Sequence, residues 1–249
     1  LAWAMEAVER GDLTLEQTDG IDLRWGNTAG ILKAIEAMAH RRGNLGALLA
    51  LGTGKATRTL GDTGDEYAIQ VKGLEMAMHH PRVFTGLALT YRFLPQGASH
   101  MEGGFNQRGS ADIDGFVQDT IGGMQKSELS NDLVLCSFTG GEAPWEYLTD
   151  AIESVTGERF EIQDLRDCVD RGYLLRYAFN LRAGHKPSQD QLPERVRKQL
   201  IQVDKRWEQE WTQLAPAYYA ARGFDANGYP MAETLSQAGL DALIPDVVA

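Results

Sequence analysis

The chain has 249 residues, 43% hydrophobic and 24% charged, enough for one large or two small cored domains and outside the disordered class. Its formal net charge of −11, with no basic stripe and one short cationic run (ERVRKQ, 194–199), argues against a nucleic-acid partner, which needs clustered Lys and Arg. No stretch approaches the ~20 apolar residues of a membrane span, and two cysteines, Cys136 and Cys168, are too few for a disulfide scaffold, so the chain reads as cytoplasmic.

The opening LAWAMEAVERG carries two acids and no basic start, unlike a signal peptide. Lacking an initiating Met, the chain is expected to be a piece of a longer protein that continues upstream of Leu1. Asn27 is a predicted N-cap. A helix is expected to follow, with Ile31, Ile35 and Met38 as its apolar face, Arg41 and Arg42 in its last turn, and a stop at Gly43. Residues 52–64 read as an irregular glycine-rich loop. A boundary falls near YAIQVKG (67–73), giving a first helical domain over 1–70 and a second over 71–249.

RVFTGLALTY (82–91) and DLVLCSF (132–138) are apolar enough for strands, but short apolar runs are equally compatible with buried helix. Between them, 95–115 reads as a second irregular loop. PWEYLTDAIESVTG predicts a helix with Pro144 in its first turn, Leu148, Ala151, Ile152 and Val155 as its stripe, and Gly157 as its stop. EIQDLRDCVDRGYLLRYAFNLRAG predicts one long helix with Ile162, Leu165 and Val169 on one face and Leu175 and Phe179 further along. Two more helices are expected, 193–214 and 229–240, opened by Pro193 and Pro230. The fold class is therefore all-α, two helical domains with irregular glycine-rich loops.

Few motifs carry chemistry unaided. LGTGKATRTLG fails as a phosphate loop: Leu49 stands where the first Gly belongs, and Ala56 where Ser or Thr must follow Lys55. Asp112 and Asp114 lie too close for a calcium loop and read as a solvated turn. His40 suits the last turn of its helix, His79 and His80 precede Pro81 in a turn, and His185 lies in a polar loop. His100 is flanked by small residues and followed by Gly103-Gly104, so a ligand could approach it closely. It is a candidate proton donor or shuttle beside the plain reading of a loop histidine. Cys136 reads as a small hydrophobe or as one thiolate of an iron site that this chain alone could not complete. Cys168 reads as a helix-packing residue.

Several stretches, in order along the whole chain, resemble the aldehyde:ferredoxin oxidoreductase family: LAWAMEAVERGDLTLEQTDGIDLRWGN, YAIQVKGLEMAMHHPR, GLALTYRFLPQGASHMEGGF, NDLVLCSFTG, RYAFNLRAGHKPSQDQLPERV and YYAARGFDANGYPMAETLSQAGL. The resemblance implies a tungsten (sometimes molybdenum) enzyme that holds its metal between two pterin dithiolenes beside a [4Fe-4S] cluster. It implies oxidation of an aldehyde to a carboxylate, with electrons passed to ferredoxin or another electron-transfer protein. It also implies that this chain is the two C-terminal helical domains, with the N-terminal pterin-binding domain and three cluster cysteines absent. A homodimer is compatible with it. The isolated chain is expected to be inactive and to hold no cofactor.

By the same resemblance, His100 matches the active-site histidine that hydrogen-bonds substrate or the metal's oxygen. Cys136 matches the fourth cluster ligand, in a motif of the form Asp-x-x-Gly-Leu-Cys. Asn131, Asp132 and Leu135 then fall at the pterin contacts. Three positions depart from the pattern: Gln96 for Arg in the histidine loop, Asn131 for Asp, and Val134 for Gly. Two rivals follow, a tungsten subunit of a benzoyl-CoA reductase complex and a catalytically dead helical module.

Overall fold

A computed structural model describes residues 1–109, 111–136, 138 and 143–248. The expected all-α class is what these residues form. α1 (Ala2–Arg10) ends at Gly11 in the left-handed region. α2 (Thr28–His40) begins as expected, with the Asn27 side chain accepting from the Gly30 amide at 3.3 Å. It stops at His40 with Arg41 left-handed, and Gly43 instead opens α3 (Gly43–Leu49). Ile35 is exposed, and the small residues Gly30 and Ala34 take the buried positions.

Residues 52–64 are not the irregular loop expected. They contain α4 (Thr53–Thr59), followed by a 3₁₀ turn at Asp65–Tyr67. The helix start is capped from a distance: the Glu75 carboxylate accepts from the Thr53 amide at 2.6 Å. A cap supplied 22 residues away leaves no local signal. Glu75 lies on a small antiparallel hairpin, β1 (Gln70–Val71) and β2 (Leu74–Glu75). Its two-residue turn, Lys72-Gly73, has both φ positive, the geometry that matches strand twist.

RVFTGLALTY yields helix. All seven residues of α5 (Leu87–Phe93) are buried, so no amphipathic period could mark it. The second loop also ends earlier than expected. Asp112 is not a solvated turn residue but the N-cap of α6 (Ile113–Asp132), accepting from Gly115 at 2.8 Å, and Asp114 occupies the first turn. DLVLCSF accordingly starts at the last residue of that helix.

α7 (Trp145–Thr156) follows Pro144 and stops at Gly157, with Leu148 buried but Val155 exposed. α8 (Ile162–Arg182) opens on a capping box between Glu161 and Asp164. Its inward face runs Leu165, Val169, Tyr173, Leu174, Tyr177 and Ala178, whereas Leu175 and Phe179 face solvent. Tyrosines fill the core positions there, which displaced the predicted stripe. The expected helix 193–214 is two: α9 (Glu194–Val203) and α10 (Arg206–Ala221). Asp204 turns extended between them, and its carboxylate accepts from the Arg206 amide at 3.0 Å. α11 (Ala232–Gln237) and α12 (Ile244–Val247) complete the chain, with Met231, not Pro230, at the N-cap of α11.

Two main cores result. One gathers Trp3, Leu23, Leu45, Leu49 and Tyr67 from the early helices and the segments between them. The other gathers Val71, the α5 side chains, Phe116, Tyr177, Trp207 and Tyr218. Stacking of Phe93 on Tyr218, with ring centroids at 4.1 Å, seats α5 against α10. Glu6 and Arg195 join the two cores through paired bonds of 2.6 and 2.8 Å.

Candidate functional site

The segment between α5 and α6 carries His100, and its first half is fixed from three sides. The Tyr173 hydroxyl donates to the Phe93 carbonyl at 3.0 Å, Lys72 Nζ to the Leu94 carbonyl at 2.7 Å, and Asn180 to the Pro95 carbonyl at 2.6 Å. Lys72 also pairs with Asp190 at 2.7 Å, where the carboxylate is fully buried and further bonded to His185 and Tyr177. His185 is thus part of a buried network, not a loop residue facing water. Gln96 itself points to solvent.

The glycines after His100 answer to close packing. Gly103 and Gly104 have φ of 86° and 87°. A Cβ at Gly103 would run into the Gly123 carbonyl of α6, and one at Gly104 into the Thr90 hydroxyl of α5. Only bare backbone fits between the two helices, so the loop is pressed onto the core and His100 is held at its edge.

His100 does not stand alone. Its ring centroid lies 4.5 Å from that of His79, and Phe105 meets both edge-on, at 6.3 and 5.8 Å. Phe84 backs Phe105 at 5.3 Å. Burial, and then the charge of His79, hold the His100 imidazole below the usual histidine range, favouring the neutral ring. His79, expected in a turn, is the partner of His100, and nothing in the spacing of MAMHHPR signals that pairing.

The predicted cofactor residues lie at the C-terminal end of α6. Asn131 Nδ2 donates to the Met101 carbonyl at 3.2 Å, so this position and the residue after His100 touch. Val134 follows at φ 57°, left-handed, a conformation that strongly disfavours a β-branched side chain. Glycine, which the family motif carries there, would adopt it without strain. The Leu135 amide turns back to the Ser130 carbonyl at 2.8 Å. Asp132, Val134, Leu135 and Cys136 are all exposed. Cys136 is therefore no buried hydrophobe, and Cys168 is not a packing residue: it too faces solvent, while Leu165 and Val169 pack.

Behind the loop lies a group that the sequence did not announce. Glu102, buried, takes both arms of Arg176 at 3.0 and 3.1 Å, and Arg176 also reaches Glu128 of α6 at 2.7 Å. Burial, followed by the charge of Glu102, pushes the Glu128 carboxyl up to about 7.

Among the described residues no group of three or more His, Cys, Asp and Glu could hold a metal, and no helix is long and apolar enough to cross a membrane. A [4Fe-4S] cluster takes four thiolates. One exposed thiol at the end of α6 fits it as a single contributed ligand, and no more.

Fold and loop together define a helical module that holds an imidazole pair at the edge of a glycine-bearing loop. The family model for aldehyde ferredoxin oxidoreductase, domains 2 and 3, matches residues 1–240, and the chain belongs to that family. It is 28% identical over 257 residues to the tungsten-containing aldehyde ferredoxin oxidoreductase of Thermococcus kodakarensis, covering 96% of this chain and 42% of that protein. The Pyrococcus furiosus protein of the same name is 28% identical over 261 residues, with the same two coverages of 96% and 42%. The chain thus spans well under half the length of these relatives. Its fold also matches the active-site complex BamBC of benzoyl coenzyme A reductase, with a TM-score of 0.78 at 18% identity, over 97% of this chain and 43% of that one.

Proposed function

We propose that this chain supplies the C-terminal helical part of a tungsten or molybdenum bis-pterin oxidoreductase that oxidises an aldehyde to a carboxylate and passes electrons to ferredoxin or a similar carrier. The observation that carries this reading is the contact between Asn131 and Met101. It joins the loop of His100 to the end of the helix that leads into Cys136, which supports reading the two segments as parts of one site.

Cys136 would contribute one thiolate to the cluster, with the other ligands and most of the pterin contacts coming from the preceding domain. Asn131, Asp132 and Leu135 would border the pterin. The metal, when bound, supplies the two-electron redox chemistry, and the cluster passes those electrons on singly. His100 is a hydrogen-bond donor and proton carrier, not a ligand. With its proton affinity lowered by burial and by His79, the ring can accept a proton in passing and orient an oxygen of the substrate.

The likeness in fold to BamBC supports a second reading, reduction of benzoyl coenzyme A, and the complete protein distinguishes the two by substrate. On the first reading it oxidises aldehydes, and His100→Ala slows it by about 10²–10⁴-fold with metal content unchanged. A rate equal to wild type would return His100 to an ordinary loop residue.

A further inference from the structure

Aldehyde oxidation by water, R–CHO + H₂O → R–COOH + 2 e⁻ + 2 H⁺, breaks a C–H bond and forms a C–O bond. The electrons go to the one-electron carrier, and two protons must leave a buried site. Behind the His100 loop two glutamates share one arginine.

Glu102 sits two residues beyond His100 and is 5% exposed. It occupies both arms of the one guanidinium, leaving Glu128 a single shared nitrogen. Two carboxyls thus face one cation, and Asp132, one turn along α6, adds a further negative charge. Like charges at one desolvated site cannot both be comfortably ionised, so one carboxyl keeps its proton. The remaining charged groups on the same cavity are Asp170 of α8 and Arg222 after α10, which pair with each other at 2.6 Å.

The cavity holding Glu102, Glu128 and Arg176 measures about 10 Å³, room for about one water. It shares Gln125, Asp170, Tyr173 and Arg222 with a larger cleft of about 360 Å³. Gln125 donates to Asp170 at 2.7 Å and accepts from Arg166 at 3.3 Å. Polar groups therefore continue from the glutamate pair into the cleft.

We propose that Glu102, Glu128 and Arg176 form a proton-holding site, with the proton on Glu128, which takes up protons freed at the His100 loop and releases them into the cleft beside Gln125 and Asp170. The holding of the proton follows from the cluster itself, and its delivery role rests on the oxidoreductase reading. In each cycle a proton arriving from the loop side replaces the one that Glu128 gives to water, so the site ends as it began. Glu128 touches no reacting atom on this reading and is a relay residue.

Infrared difference spectroscopy of the complete protein across pH tests the holding. A protonated-carboxyl band that titrates around pH 7 is expected, absent in Glu128→Gln. Glu102→Gln frees Arg176 for Glu128 and should move the band at least one unit lower. A spectrum with no band above pH 6 that responds to either variant overturns the proposal. Delivery is read from the pH–rate profile with an aldehyde: Glu128→Gln should lose the limb near 7 while KM holds, and a profile superimposable on wild type overturns the relay. If wild type oxidises no aldehyde, the proposed function falls, and the infrared titration still decides whether Glu128 holds the proton.

Discussion

At His100 two causes act on one imidazole in the same direction, burial and the facing charge of His79. His79→Ala removes a ring whose centroid lies 4.5 Å away, so it opens His100 to water and removes the electrostatic influence of His79 together. The His100 pKa should rise toward 6.5, the ordinary histidine value. Imidazole resonances followed by NMR across pH check this, and an unmoved or lowered value would show that the pairing does not tune the ring. The two thiols separate by place. In the complete protein Cys136→Ala should cost the iron-sulfur EPR signal or leave a three-iron form, because Leu135 and Val134 offer no anionic sulfur. Cys168 is an exposed residue of α8, so Cys168→Ala should change stability by no more than about 0.5 kcal/mol and leave the signal intact. Signal loss in Cys168→Ala with retention in Cys136→Ala would reverse the assignment.

At the scale of elements, α6, α8 and the loop meet at Glu128, and the meeting has a pH signature. An acid raised in the fold binds more protons folded than unfolded, so stability falls as pH rises. The contribution is full below the unfolded value of 4.5 and is lost as pH passes the folded value of about 7. Thermal melts should therefore drop between about pH 5 and 8, with Glu128→Gln flatter over that window and melting above wild type at pH 8. A wild-type curve already flat there would deny the raised acid. The same elements show what the residue order discloses. Asn27 marks a helix start through its side-chain acceptor, and Pro144 and Gly157 mark helix ends through their own backbone preferences. α6 was hidden by Gly122-Gly123 and many polar positions, since its reason for being helical is the loop, α8 and α10 packed on it. α4 was hidden because its cap, Glu75, arrives through the hairpin. The His100 loop was legible through its glycines and the family resemblance. His79, Glu102, Glu128 and Arg176 were not, since charged and polar residues at unrelated positions show no period before the chain brings them together.

Across the whole molecule the hairpin at 70–75 works as a clamp between the two cores, which we propose to correspond to helical domains over 1–70 and 71–249. Glu75 reaches back to cap α4 beside the first core. Lys72 reaches forward into the second, where its ammonium serves both Asp190 and the Leu94 carbonyl at 2.7 Å each. The two contacts differ in burial and so in consequence. Glu75 is exposed, and Glu75→Ala forfeits one helix cap, about 1 kcal/mol. Lys72 and Asp190 are 8% and 0% exposed in their side chains. Lys72→Met would leave a buried carboxylate with only His185 and Tyr177, and the loop of His100 without its first anchor. Removing one partner of a buried pair typically costs about 3–5 kcal/mol, so Lys72→Met should be the more damaging by a factor of about three or more. Urea denaturation of the two variants measures both costs directly. Asp190→Asn in the Lys72→Met background should recover part of the loss, because it removes the orphaned charge. A Lys72→Met midpoint close to that of Glu75→Ala would show that the buried pair does not hold the hairpin to the second core.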